Sequence, residues 1–121
     1  MLRLADRACA GLLFIGALLH AYGSFAGYPP GSETLVWALS GSLCAGLIAI
    51  VNLLRANRPG DSALAWTAAV ASLAWAAVAL AFGQAIGRSA DPRVLWHAIT
   101  ALALAGFSLR TALRGSARSM A

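Results

Sequence analysis

The chain carries little charge and contains no lysine. Of its 121 residues, 11% are charged and 60% are hydrophobic, and its mean hydropathy is +0.76. Soluble domains typically have about 25% charged and about 45–50% apolar residues. The composition therefore argues against an ordinary soluble domain and indicates a small membrane protein, with residues 1–121 forming one membrane domain.

Acidic residues are also scarce, and recognisable catalytic motifs are missing. None of the four acidic residues falls deep inside a long apolar run. Four-helix exporters of the small multidrug type use a carboxylate in the first span, and no such residue is present. The sequence has no Walker loop, no dinucleotide-binding glycine motif and no nucleophile–base–acid set. We therefore expect no enzyme, and no nucleic-acid partner because no binding motif accompanies the basic charge.

What the sequence does have is a series of apolar runs separated by short polar turns. They predict membrane-spanning helices over residues 8–28, 34–54, 62–87 and 94–113. The length of each run is close to what a membrane span requires, about 20 residues. Pro29-Pro30 and Pro59-Gly60 break the runs. The predicted fold class is an all-α integral membrane protein, a bundle of four helices with up-down-up-down connections.

The positively charged residues predict the orientation of this bundle. Seven arginines fall on one side of the predicted topology, namely Arg3, Arg7, Arg55, Arg58, Arg110, Arg114 and Arg118. Only Arg88 and Arg93 fall on the other side. The positive-inside rule then places both termini in the cytoplasm, in a cell inner membrane. Arginine without lysine, together with abundant alanine and leucine, suggests a GC-rich bacterial genome.

The first run combines small residues with a histidine. Gly16, His20, Gly23 and Gly27 recur at i, i+4, i+7 and i+11, so they share one stripe of a helix. Small residues let membrane helices approach closely, and His20 is therefore expected to face protein. The predicted helix-packing positions are Gly16, Gly23, Gly27, Ser42, Gly46 and Ala74.

Small residues on the third run suggest contacts beyond one bundle. They form the stripe Ala63, Thr67, Val70, Ala74, Ala77, Ala81 and Gln84. Such stripes on the first three runs exceed what one bundle needs. We expect an accessory or assembly subunit that contacts the bilayer and other membrane-protein subunits, or a second copy of itself. One alternative is a b-type haem-binding membrane protein that uses His20 and His97. A second is a small-solute transporter, which would be dimeric because one four-helix unit is too small to enclose a pathway.

Polar groups inside the spans are the best indicators of a site, because each needs a partner in lipid. The predicted polar cluster comprises His20, Tyr22, Ser24, Gln84, His97 and Thr100. One hypothesis is that His20 forms an interhelical hydrogen bond that sets helix register. A second is that His20 and His97 are the axial ligands of a b-type haem. A metal site is less well supported, because two histidines leave a coordination sphere unfilled.

A weak internal repeat is the last feature of the sequence. The segments 34–37 and 93–96 align, as do residues 54–55 and 113–114, at one constant offset. The first and third runs do not match convincingly at that offset. Duplication of a helical hairpin is therefore a hypothesis that the sequence raises without deciding.

Overall fold

A computed structural model describes residues 1–119 of the chain. Within this range the chain forms four α-helices: α1 (Leu2–Gly27), α2 (Glu33–Asn57), α3 (Ser62–Ala85) and α4 (Pro92–Ser119). The predicted all-α class with four helices is thus confirmed for the described residues. Each helix is long and apolar enough to cross a membrane, which indicates a membrane protein and is compatible with a lipid bilayer environment.

Local capping explains where two of these helices begin. The Ser32 hydroxyl accepts a hydrogen bond from the Leu35 backbone N–H at 3.2 Å at the start of α2. The Asp61 carboxylate accepts one from the Leu64 N–H at 2.9 Å at the start of α3. Both bonds satisfy backbone donors that have no partner within the helix.

Three helices extend well beyond their predicted spans. α4 covers Pro92–Ser119 rather than residues 94–113, α1 begins at Leu2 rather than at residue 8, and α2 continues to Asn57 rather than ending at residue 54. No proline interrupts the extensions of α1 and α2, and the first breaker after α2 is Pro59. Arg55, which falls just beyond the predicted span of residues 34–54, therefore lies inside α2 and is buried.

The helices pack most extensively within two hairpins, α1 with α2 and α3 with α4, and α1 also packs against α4. The centre of the bundle is apolar. It consists of a cluster from three helices: Ala10, Leu13, Ala17, Ala45, Ile48, Ala49 and Leu104. We call these residues the apolar core.

Burial repeats between the two hairpins at one constant spacing. The spacing is that between Trp37 and Trp96, 59 residues. The pairs in which both members are buried are Asp6/Ala65, Ala10/Ala69, Leu13/Ser72, Ala17/Ala76, Ser24/Gly83, Leu35/Val94, Ser42/Ala101, Ala45/Leu104 and Ala49/Ser108. The two hairpins thus use equivalent faces, which supports the duplication hypothesis even where the residue types differ. Under this equivalence the α1–α4 contact corresponds to the α2–α3 contact.

Candidate functional site

Two histidines from different helices meet in one polar group. The ring centroids of His20 on α1 and His97 on α4 lie 6.2 Å apart, with an angle of 82° between the ring planes. His20 Nδ1 lies 2.7 Å from the Ser42 hydroxyl of α2. The Trp75 indole of α3 donates to His97 Nδ1 at 3.2 Å. We call His20, Ser42, Trp75 and His97 the histidine cluster; it joins all the described helices.

The hydrogen bonds assign a proton position to each ring. A tryptophan N–H can only donate, so His97 Nδ1 accepts and the neutral ring carries its proton on Nε2. Ser42 has one hydroxyl hydrogen, which it donates to the Ala38 carbonyl at 3.2 Å. It therefore accepts from His20 Nδ1, whose Nε2 then holds the free lone pair. These assignments follow from the hydrogen-bond network.

The other members of the predicted polar cluster do not join the two rings. Tyr22 is 76% exposed, and Gln84 at the end of α3 is also exposed. Ser24 and Thr100 are buried, but each donates to a backbone carbonyl of its own helix, that of His20 and that of Trp96 respectively, at 2.7 Å. A hydroxyl that bonds to the preceding turn of its own helix needs no partner across the bundle.

Gly16 lies at a close approach between α1 and α4. A Cβ atom at this position would lie 2.8 Å from Trp96 Nε1 and 3.2 Å from His97 Nε2. Trp96 Nε1 also donates to the Leu12 carbonyl at 3.0 Å. The absence of a side chain at Gly16 thus lets two rings of α4 reach the backbone of α1.

The remaining predicted packing positions divide into two groups. Ser42 is buried, and a Cβ at Gly46 would lie 3.9 Å from the Phe14 ring. A Cβ at Gly23 or Gly27 would meet nothing within 4 Å, so these glycines do not bring α1 close to another helix of this chain. Ala74 is exposed on α3.

The geometry around the two rings does not fit a haem. An axial histidine coordinates iron through one nitrogen and donates an N–H from the other. If His97 coordinated through Nε2, its Nδ1–H would point at the Trp75 N–H, and two donors would oppose each other. Trp96 and His97 also occupy the space beside Gly16 that a macrocycle would need. Among the described residues there is no group of three or more metal-ligating side chains.

Ser42 accepts from His20 Nδ1, whereas a catalytic base would accept from the hydroxyl of a nucleophile. The backbone around the pair does not support acyl transfer either. Ser42 lies in the interior of α2, where backbone N–H groups are already bonded within the helix. No backbone donors are therefore free near its hydroxyl to stabilise an oxyanion. What the pair can do is hold α1 and α2 in register.

A second buried polar group lies near the turn between α2 and α3. Arg55 donates from Nη1 and Nη2 to the two carboxylate oxygens of Asp6, both at 2.6 Å. Arg55 Nη2 also donates to Asn52 Oδ1 at 3.1 Å. The Asn52 amide donates to Ser72, and its oxygen accepts from Ser108, both at 2.9 Å. We call these five residues the asparagine network, because Asn52 connects the ion pair to α3 and α4.

The asparagine network was not predicted, although part of its signal is in the sequence. Asp6 precedes Ala10 and Leu13 at helical spacing, on the same side of the helix as His20. Asp6 and Arg55 were instead assigned to the charged flanks of their spans. Trp75, which lies in the middle of α3, has a specific partner in His97. The pairings depend on which helices are neighbours, and one sequence alone does not define that.

The turn before α4 contains a charged pair outside the spans. Arg93 donates to Asp91 from its backbone N–H and from Nε, both at 2.9 Å, and from Nη2 at 2.8 Å. These hydrogen bonds, with the positive charges of Arg93 and Arg88, lower the pKa of the Asp91 carboxyl to about 2. Asp91 therefore stays ionised at any physiological pH and holds the start of α4.

Comparison with known proteins adds nothing to this geometry, because the chain matches no family model, no curated protein and no solved structure.

Proposed function

We propose that this chain is a non-enzymatic accessory or assembly subunit of a membrane complex and works through helix–helix contacts. The observation that carries the proposal is the outward face of α3. Its centre consists of residues that are all exposed: Ala63, Thr67, Val70, Ala74, Ala77, Ala81 and Gln84. We call this set the α3 stripe. It lies opposite the face of α3 that packs inside the bundle.

The shape of this face suits another helix. Successive residues of the α3 stripe are four and three positions apart in alternation. This seven-residue repeat keeps one face of a helix against a partner helix. Larger exposed side chains flank it, Leu73 and Leu80 on one side and Val78 and Phe82 on the other. Small residues between larger ones form a shallow channel in which a second helix backbone can approach closely.

The interior supports this reading over transport. The histidine cluster and the asparagine network are separated along α2 by the ten residues from Ser42 to Asn52, about 15 Å of helix. Apolar core residues occupy the interval. The side chains of both polar groups hydrogen-bond to neighbouring helices, although Arg55 Nε is buried without a partner. A dimeric transporter would therefore need a pathway outside this bundle.

For the topology we propose up-down-up-down helices in an inner membrane with both termini cytoplasmic. The start of α1 lies beside the end of α2 through Asp6 and Arg55, which supports antiparallel neighbours. Arg55 is buried in that pair and no longer counts as a loop charge, and the side chain of Arg118 lies outside the described residues. Exposed arginines on the cytoplasmic side still outnumber those on the other side. They are Arg3, Arg7, Arg58, Arg110 and Arg114.

The test substitutes the α3 stripe and measures association. Tagged wild-type protein, solubilised from native membranes in a mild detergent, is expected to co-purify with larger membrane polypeptides. Overpacking commonly costs about 1–3 kcal/mol per site, so Ala74→Leu with Ala77→Leu should lower recovery of the partner at least about tenfold. Ala8→Leu, on an exposed position of α1, is the matched control and should leave recovery unchanged.

Two results would contradict the proposal. One is equal recovery of the larger polypeptides with the α3 stripe variant and with wild type. The other is a defined homodimer of the wild-type protein with no further subunit, which would favour the transporter alternative. Far-UV circular dichroism of each variant checks that its helices are intact.

A further inference from the structure

The repeat of burial between the two hairpins provides a comparison for the histidine cluster within the same molecule. At the spacing of 59 residues, His20 corresponds to Ala79 and His97 corresponds to Ala38. The α1–α4 contact therefore has two imidazoles where the equivalent α2–α3 contact has two alanines. Because alanines suffice at one contact, packing of the hairpins does not by itself require the histidines.

The neutral state of His97 is built into its hydrogen bonds. Its Nδ1 accepts from Trp75, and its Nε2 lies against Gly16, where a Cβ would be only 3.2 Å away. A proton added to this ring would convert Nδ1 into a donor that faces the Trp75 N–H at 3.2 Å. Two donors in opposition lose the hydrogen bond and leave a charge in an apolar setting.

No carboxylate is among the groups that act on the two rings, and the contact that favours a positive charge is the hydrogen bond between His97 and the Gly16 backbone. α2 presents the neutral hydroxyl of Ser42 and α3 presents the neutral indole of Trp75. From α1 the only titratable group is His20 itself. α4 adds Arg93, a positive charge close enough to act on His20. The carboxylate of Asp91 is already bonded to Arg93.

From this arrangement we infer that the α1–α4 contact at His20 and His97 is an acid-sensitive contact, which is released by protonation while the equivalent α2–α3 contact is not. The contact is intact when both imidazoles are neutral, and it weakens as the pH falls through their titration. This device is independent of the partner proposed for the α3 stripe, and it gives the bundle a second arrangement at low pH.

The experiment measures two equivalent distances in one protein. Spin labels are attached at Leu19→Cys and Ile99→Cys, both on exposed positions of α1 and α4. The matched control pair is Val78→Cys and Ser40→Cys, the positions 59 residues away, both exposed on α3 and α2. Cys9 and Cys44 are replaced by alanine, and the protein is placed in phosphatidylcholine vesicles.

Distances are recorded between about pH 8 and about pH 4, a range that brackets the ordinary histidine pKa of about 6.5. The α1–α4 pair should lengthen reversibly by at least about 2 Å at low pH, the scale of helix shifts at interfaces. The α2–α3 pair should stay unchanged. In a His20→Ala/His97→Ala variant the α1–α4 pair should no longer respond.

Each other outcome overturns the inference. Constant distances in both pairs mean that protonation does not open the contact. Lengthening of both pairs means general acid unfolding. A response that persists in the double-alanine variant assigns it to other groups. If the double-alanine variant fails to fold, the comparison of the two pairs in the histidine-containing protein still decides the question.

Discussion

The buried ion pair between Asp6 and Arg55 makes the sharpest prediction about stability. Arg55 is 1% exposed and Asp6 is 7% exposed, and two hydrogen bonds of 2.6 Å join them. The informative perturbations are Asp6→Ala, Arg55→Met and the two combined. Together they separate two contributions to the free energy of unfolding, the loss of the ion pair and the cost of leaving one charge buried without its partner.

The expected magnitudes follow from what each variant leaves behind. Asp6→Ala leaves a buried guanidinium whose side-chain partner is Asn52 Oδ1 at 3.1 Å. Breaking a buried pair in this way typically costs about 3–5 kcal/mol, whereas replacing both members by apolar residues is often neutral. Arg55→Met leaves a carboxylate that is less deeply buried, 7% exposed against 1% for Arg55, so its effect should be smaller. The double variant should lie within about 1 kcal/mol of wild type, because the Asn52 oxygen keeps its bond from Ser108.

The assay is reversible unfolding in mixed micelles with increasing sodium dodecyl sulfate, followed by far-UV circular dichroism. Arg58→Met is the matched control, because Arg58 is exposed in the turn after α2 and surface changes usually lie within about 0.5 kcal/mol. The double-mutant cycle then gives the coupling free energy directly. If Asp6→Ala were no less stable than wild type, or if the double variant were as unstable as Asp6→Ala, the reasoning about an isolated buried charge would be wrong.

Two further predictions concern α1 and the turn before α4. Gly16→Ala should lower the free energy of unfolding by about 1–3 kcal/mol through overpacking, because the new Cβ would lie 2.8 Å from Trp96 Nε1. Gly23→Ala, where nothing lies within 4 Å, should be neutral or stabilising since alanine is the better helix former. If Gly16→Ala had the same free energy of unfolding as wild type in this assay, the close approach of α1 and α4 at Gly16 would be contradicted. Ionised Asp91 should support the start of α4 above its usual carboxyl range and lose that support only as the pH falls through its pKa of about 2. In carboxyl carbon NMR titrations, Arg93→Gln should return the Asp91 pKa toward its usual value of 3.8, and an unchanged titration would rule out Arg93 as the cause.

Composition and local pattern were enough to predict the helices themselves. Long apolar runs broken by Pro29-Pro30 and Pro59-Gly60 leave no other way to satisfy the backbone in lipid, and the helices appear where these breakers allow them. Ser32 and Asp61 cap α2 and α3, and such caps can be indicated by sequence because capping is a local interaction. The histidine stripe of α1 was also visible, since helical spacing alone places Gly16 and His20 on one side.

Only the tertiary structure decided which polar groups meet. Asp6 and Arg55 lie just outside the predicted spans, and they form a pair because the start of α1 lies beside the end of α2. Trp75 bonds to His97 because α3 and α4 are neighbours. The outward position of the α3 stripe was equally hidden, because periodicity shows that residues share a face but not what that face contacts. The periodicity of small or polar residues is a property of one helix. Which polar side chains pair depends on the relative position of two helices, and that position is set by the packing of the whole bundle.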